Sequence, residues 1–276
     1  MSQKPRKMKS VINTIYESKL AELKDKIETL STPVQLTIVT VGEDPASKVY
    51  VRNKIRLFDE LGLECHHIVL AEEGTSQSDL DMLAEKAEHP ILFQLPLPSG
   101  LIAPDLPAAV DVDGFGSEAL GHLVLGQNAV LPCTVQATID IITAHCGEYN
   151  FPGLKVAVVG RSNIVGKPLA IELINRQSTV ASFNSRSDLV AVDWNKYDVI
   201  VVATGAHGIL DNSQFIEGQL IIDVGINRVD GKLVGDIKHH DGIFSEAAIT
   251  PVPGGVGRLT CLHVLGNVIK LADCSR

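Results

Sequence analysis

Short, nearly continuous apolar runs alternate along this chain with longer stretches in which apolar residues recur every three or four positions. The first kind reads as buried parallel strand and the second as amphipathic helix. The run QLTIVTVG (35–42) predicts a strand. DPASKVYVRNKIRLFDELG (44–62) predicts a helix, with Asp44 at the N-cap, Pro45 in the first turn and Gly62 at the stop. A second strand follows at 63–70, a second helix at 76–88, and a third strand at 90–97 that Pro96 breaks. This βαβαβ order predicts a parallel sheet. Residues 99–133, rich in Gly, Pro and Asp, predict a long irregular loop of the kind that carries function. A helix at 134–146 then leads to GEYNFPG (147–153), which reads as a hinge.

The alternation then begins again. LKVAVVG (154–160) predicts a strand, and Pro168 opens a helix that ends near Gln177. TVASF (179–183), DVIVVATG (198–205) and QLIIDVG (219–225) predict further strands. RVDGKL (228–233) is a hairpin signal with Asp230-Gly231 at its turn, and a last helix is expected at 260–272. The pattern is α/β throughout, in two halves.

Composition narrows the class. The chain has 276 residues, 45% of them hydrophobic, which suits two ordinary globular domains. A formal net charge of -9 argues against a nucleic acid or an anionic membrane as general partner. The short basic start, Lys4, Arg6, Lys7 and Lys9, reads as a solvated helix face or a frayed terminus. Five cysteines, Cys65, Cys133, Cys146, Cys261 and Cys274, lack zinc or redox spacing and read as reduced residues of a cytosolic protein. No apolar run reaches the roughly 18 residues needed to span a bilayer, and no secretory leader is evident, so the cytoplasm is the expected location.

Two stretches carry candidate chemistry. GRSNIVGKP (160–168) joins a predicted strand to a predicted helix. Gly160 and Gly166 permit a tight turn, and the helix start offers unpaired N–H groups to a phosphate. The loop is not G-x-G-x-x-G, so a turn without a ligand remains open on these residues alone. The next strand ends in Phe183-Asn184-Ser185-Arg186, without the acid that takes a ribose hydroxyl in NAD enzymes. A hydroxyl and a guanidinium there suit a 2′-phosphate, with Arg161 as a second positive charge, so NADP is the expected cofactor. Asp188, close behind, is the group that would oppose this by turning toward the ribose or neutralising Arg186.

On the helix opened by Pro45, Ser47, Tyr50 and Lys54 fall on one stripe, next to an apolar stripe of Val51, Ile55 and Phe58. Tyr50 and Lys54 are therefore expected at the border between core and cleft. A lysine so placed serves proton transfer, or is a snorkelling surface residue. Tyr-x-x-x-Lys is also the spacing of short-chain dehydrogenases. Their glycine loop precedes the tyrosine, whereas here it follows by more than a hundred residues.

VGEDPASKVYVRNK, QLPLP, DVDGF, PCT, VVGRSNIVGKP, DVG and TPVPGGVG, in this order, resemble the bifunctional methylenetetrahydrofolate dehydrogenase/cyclohydrolase family over residues 41–260. The resemblance implies two α/β domains with a cleft between them. The first, 1–146, binds folate and receives the last helix, 260–276; the second, 147–259, is a Rossmann-type NADP domain. It also implies a homodimer acting on tetrahydrofolate derivatives, with NADP-linked oxidation to the methenyl compound followed by hydrolysis to formyltetrahydrofolate. Lys54 is then the central group of the hydrolytic step, held by Gln94. Tyr50 packs along the folate, and Ser47 supports the network. Leu95, Pro96, Pro253, Gly254 and Gly255 border the substrate, and Asp113 accepts from the pterin. Gly160, Arg161, Ser162, Ile164, Val165, Gly166, Ser185, Arg186, Thr204, Gly205 and Ile226 hold the cofactor. No metal is expected, because Asp111 and Asp113 have no His or third carboxylate nearby in sequence.

The chain departs from the family pattern at Val110, Val135, Ala137, Asn184 and Arg258, positions expected at the rim of the cleft. These departures keep two alternatives open. One is a dehydrogenase without useful hydrolase activity. The other is a binding protein of regulatory role.

Overall fold

The computed structural model describes residues 8–127, 130–239 and 247–274. Two compact units divide the chain: Met1–Ser18 with Thr134–Thr260, and Lys19–Cys133 with Cys261–Arg276. Helices α1 (Met8–Thr29), α5 (Cys133–Cys146) and α7 (Val256–Cys274) each run through a division point.

The first half of the pattern forms β1 (Gln35–Val41), α2 (Pro45–Glu60), β2 (Glu64–Leu70), α3 (Gln77–Glu85) and β3 (Ile91–Phe93). Its sheet is parallel, in the order β2-β1-β3, with Gln35 opposite Glu64 and Thr37 opposite Ile91. β1 is central and therefore buried: Leu36, Ile38 and Val39 are inaccessible. β3 is shorter than the predicted 90–97. Gln94 N still donates to Val39 O, but Pro96 and Pro98 have no N–H to continue the ladder. The stretch 99–133 is not irregular throughout. It contains α4 (Ser117–Val124), which buries Ala119 and Leu123 one turn apart. Eight residues with Gly121 among them make a weak periodic signal. Helix α1 was not predicted either; it buries Met8, Ile12 and Leu23. Of the basic start, Lys4, Arg6 and Lys7 lie outside the described residues, and Lys9 is exposed.

The other unit is built on β4 (Lys155–Val159), α6 (Gly166–Asn175), β5 (Thr179–Phe183), β6 (Val199–Val202), β7 (Leu210–Asp211), β8 (Leu220–Asp223), β9 (Asn227–Val229), β10 (Lys232–Val234), β11 (Ile237–Lys238) and β12 (Ala248–Ile249). Five strands form one parallel sheet, ordered β12-β8-β6-β4-β5. Strands β4, β6 and β8 are apolar on both faces because both are covered: by Ile142, Leu169 and Leu173 of α5 and α6 on one, and by Trp194, Leu210 and Phe215 on the other. β9 and β10 form the expected antiparallel hairpin, with Asp230 and Gly231 both at positive φ. Pro168 does not open α6, which begins at Gly166, and the last helix begins at Val256, before the predicted 260. Val135 and Ala137 are inaccessible core residues, and Val110 packs with Val39, Ile91 and Phe93. These three departures from the family pattern are core substitutions, not rim substitutions.

Candidate active site

Helix α2 starts where Asp44 Oδ1 accepts from Ser47 N at 2.7 Å, the cap the sequence predicts. From that start the helix turns Val51 and Phe58 into the core. Ser47 and Lys54 go in with them. Lys54 is only 6% exposed, deeper than the core–cleft border expected, and Tyr50 is half-buried. A buried ammonium needs a partner. Lys54 Nζ donates to Gln94 Oε1 at 2.9 Å, and Gln94 Nε2 donates to Leu95 O at 2.7 Å. The second bond fixes the amide so that its oxygen faces the lysine. Ser47 Oγ reaches the same Leu95 carbonyl at 3.4 Å, and the Leu95–Pro96 peptide is cis. Ser47, Val51, Thr40, Gln94 and Pro96 also border a cavity of about 440 Å³.

The loop behind β3 brings up the acids. Asp111 is the residue that makes the turn: its carboxylate accepts from Gly114 N at 2.9 Å and Gly116 N at 2.8 Å. Both glycines lie so close to neighbouring backbone carbonyls that a Cβ would collide, at 2.6 Å from Val130 O and 2.7 Å from Leu106 O. Asp113 keeps its carboxyl out of that turn, and the charge of Lys54 acts on it. Burial pushes its carboxyl up to about 6, Asp111 pushes the same way, and the Lys54 charge opposes both. Burial, with Cys261 nearby, pushes the Tyr50 phenol up to about 12, so it is neutral at any working pH.

Cys133 and Cys261 lie near enough to feel the Lys54 charge, and Asn267 Nδ2 donates to Cys133 Sγ at 3.3 Å; the sequence pattern gave none of the three a place here. Burial raises both thiols, which keeps them protonated and poorly nucleophilic. Asn267 Nδ2, on α7, donates to Val112 O at 2.8 Å and Leu131 O at 3.0 Å, which ties the loop on either side of Asp113 to the last helix. Only a contact across 155 residues of sequence reveals it.

In the other unit, Gly160 and Gly166 are required by packing. A Cβ at Gly160 would lie 2.1 Å from Ala203 O, and one at Gly166 would lie 2.1 Å from Gly160 O. The turn they allow leaves Arg161, Ser162, Asn163 and Ile164 exposed, with Val165 and Gly166 buried beneath. Ser162 Oγ accepts from Val165 N at 3.2 Å and Gly166 N at 3.4 Å at the start of α6. Arg161 lies along the end of β5, with Nε on Ser182 Oγ at 3.0 Å and Nη2 on Ser182 O at 2.6 Å. Ser185 and Arg186 are exposed just beyond, on a turn closed by Asn184 Oδ1 with Arg186 N at 3.1 Å. Asp188 caps its own loop, accepting from Val190 N and Ala191 N at 3.2 and 3.3 Å. Thr204 and Gly205 leave β6, and Ile226, 38% exposed, follows β8. Pro253 and Gly254 are exposed in the turn before α7, after a cis Val252–Pro253 peptide. Gly255 is buried there, where a Cβ would lie 2.3 Å from Pro251 O.

A parallel sheet whose strand order reverses between β4 and β6, with a glycine turn leading from β4 into a helix, is the architecture of a dinucleotide-binding protein. The exposed loop at the helix start, with two guanidinium groups beside it, fits a phosphorylated dinucleotide. The chain belongs to the tetrahydrofolate dehydrogenase/cyclohydrolase family. The model of that family's catalytic domain matches residues 8–113, and that of its NAD(P)-binding domain matches residues 132–276. The bifunctional protein FolD of Moorella thermoacetica is 39% identical over 267 residues, covering 91% of this chain and 94% of that protein. A crystal structure of the bifunctional enzyme FolD from Campylobacter jejuni covers 98% of both chains at 32% identity and a TM-score of 0.85. The Trypanosoma brucei enzyme, solved with NADP cofactor and inhibitor, covers 98% of this chain and 97% of its own at 27% identity and a TM-score of 0.82.

Proposed function

We propose that this chain oxidises methylenetetrahydrofolate with NADP and hydrolyses the methenyl product to formyltetrahydrofolate. The observation that carries the hydrolytic half is the buried Lys54–Gln94 contact at 2.9 Å, with Asp113 near enough for the lysine charge to act on its carboxyl. An amide oxygen orients the lysine without contributing an opposite charge. Lys54 is thus free to move a proton as water adds to the amidinium carbon, the task of a general acid–base. Asp113 accepts two hydrogens from the planar edge of the pterin. Tyr50, a neutral phenol, offers its ring face to the folate, and Ser47 and Leu95 brace Gln94. Leu95 and Pro96 border the substrate here.

In the cofactor unit, the N–H groups opening α6 and the exposed turn from Arg161 to Ile164 take the pyrophosphate. Ser185 and Arg186, with Arg161, take the 2′-phosphate; Thr204, Gly205 and Ile226 line the remaining length. NADP, when bound, supplies the hydride acceptor. No side chain needs to move a proton in that step, so positioning carries it. We place the enzyme in the cytoplasm as a homodimer, which sedimentation of the purified chain tests. None of the described helices is long and apolar enough to cross a membrane.

The deciding experiment replaces Lys54 by Met and follows both reactions by absorbance. Hydrolysis of the methenyl compound falls by about 10²–10⁴-fold, the usual contribution of a general acid–base group. The dehydrogenase rate falls less, and methenyl product accumulates. Unchanged hydrolysis in the folded variant removes Lys54 from the mechanism. Absence of cofactor reduction by the unaltered protein would instead favour a binding protein.

A further inference from the structure

The loop leaving β6 is bound to a buried carboxylate. Asp236 is inaccessible to solvent. Its Oδ2 accepts from Thr204 N at 2.6 Å, Thr204 Oγ1 at 2.9 Å and Gly205 N at 2.9 Å, while Oδ1 accepts from Asn227 Nδ2 at 2.8 Å. A second acid locks the first. Asp223, 2% exposed, accepts from Asp236 N at 2.9 Å, Ile237 N at 3.0 Å and Gly225 N at 3.1 Å. The two carboxylates are packed without slack. A Cβ on Gly225 would lie 1.9 Å from Asp236 Oδ1, and one on Gly235 would lie 1.9 Å from Asp223 Oδ2.

Two buried acids side by side are an expensive way to join two loops, because burial and like charge both oppose ionisation. A neutral acceptor would hold Thr204 and Gly205 at lower cost, so the charge itself calls for a use. The strand order supplies one. Groups suited to a 2′-phosphate stand at the end of β5, and the phosphate turn follows β4. A dinucleotide laid out from β5 across the reversal point places its nicotinamide half over the ends of β6 and β8. Asp236 sits beneath those ends. A nicotinamide ring is cationic when oxidised and neutral when reduced.

We propose that Asp236 is a positioning residue that also selects the redox state of the cofactor: its buried carboxylate holds the Thr204–Gly205 turn and makes the site prefer the oxidised, positively charged nicotinamide. This rests on the cofactor reading above. It favours loading with the oxidised form when both are present, and it makes the bound ring a weaker hydride acceptor. The titratable groups of the adjoining segments are His207, Lys238 and His239. His207 is held by Nδ1 on the carbonyl of Gly235, and Lys238 is exposed. His239 is pushed down by burial and by His207, which favours its uncharged form at neutral pH.

The test is calorimetric titration of the full chain with NADP⁺ and with NADPH, separately, at pH 8. In the unaltered protein the oxidised form binds more tightly. Asp236→Asn reduces that preference about ten-fold, equivalent to ~1.4 kcal/mol. Equal weakening for both forms means that Asp236 only braces the loop, and overturns the selection. Asn227→Ala decides independently if the first variant does not fold, because it removes a neutral donor and keeps the charge. Its preference for NADP⁺ widens; an unchanged or narrowed ratio overturns the proposal. If the unaltered chain binds neither form, the cofactor reading fails, and this inference with it.

Discussion

Asp111 and Asp113 are two residues apart and do different work. Local pattern offers no way to divide them, since each precedes a glycine or hydrophobic residue in a loop; the family resemblance alone singled out Asp113. The division comes from which carboxylate meets the N–H groups of Gly114 and Gly116, and that is Asp111. Asp113 stays available, with its carboxyl pushed up to about 6 by burial. In the role proposed for it, it must be ionised to accept both pterin hydrogens. KM for methylenetetrahydrofolate therefore rises as pH falls through about 6, approaching ten-fold one unit lower. Asp113→Asn raises KM at every pH and abolishes that dependence. Steady-state kinetics between pH 5 and 8 checks this, and an identical profile in the variant assigns the titration to another group. Lys54 was legible as a candidate from its helical stripe. Its depth and its hydrogen bond to Gln94, 40 residues on, were not.

At the scale of elements, the proposed cofactor choice rests on the end of β5. The turn Asn184–Ser187 is closed by its own side chains, and Asp188 spends its Oδ1 on Val190 and Ala191. The acid that threatened the NADP reading is thus engaged in its own loop. Arg161 is fixed against Ser182 rather than free, which holds one guanidinium at the strand end before any ligand arrives. Comparing kcat/KM for NADP and NAD should give at least ten-fold in favour of NADP, since one charge-assisted contact contributes about 1.5–3 kcal/mol. Arg186→Ala narrows the gap chiefly by weakening NADP. Equal use of the two cofactors by the unaltered chain would show that these groups do not reach the 2′ position. The strands here were legible because central parallel strands are apolar on both faces. The short helix α4 was not, because eight residues give barely two turns of pattern.

For the whole molecule, the buried acids have a thermodynamic consequence. Burial and its neighbour Asp236 push Asp223 up to about 6, above the ordinary value of 3.8. A carboxyl raised by folding binds protons more tightly in the native state. Its stabilising contribution is therefore complete below pH ~4 and is lost as pH rises through about 6. A shift of about two units corresponds to ~3 kcal/mol. Urea unfolding at pH 5 and pH 7.5 should show this acid-side gain, and Asp223→Asn should diminish it while costing a hydrogen bond from Ile237 N. A gain undiminished in the variant would assign it to other groups.

Sequence alone determined the alternation of strands and helices, the cap and start of α2, the glycine turn after β4 and the residues that carry the family resemblance. Each is local: periodicity, a capping side chain and a missing Cβ act within a few residues of where they are written. Tertiary structure decided which acid the Lys54 charge acts on, how deep that lysine lies, why Val135 and Ala137 are core, and that Asn267 and Asp236 brace loops far away in the chain. Those outcomes depend on burial and on hydrogen bonds between segments 31 to 155 residues apart. A sequence lists the donors and acceptors for such contacts, but only the folded chain excludes the water that would otherwise satisfy them.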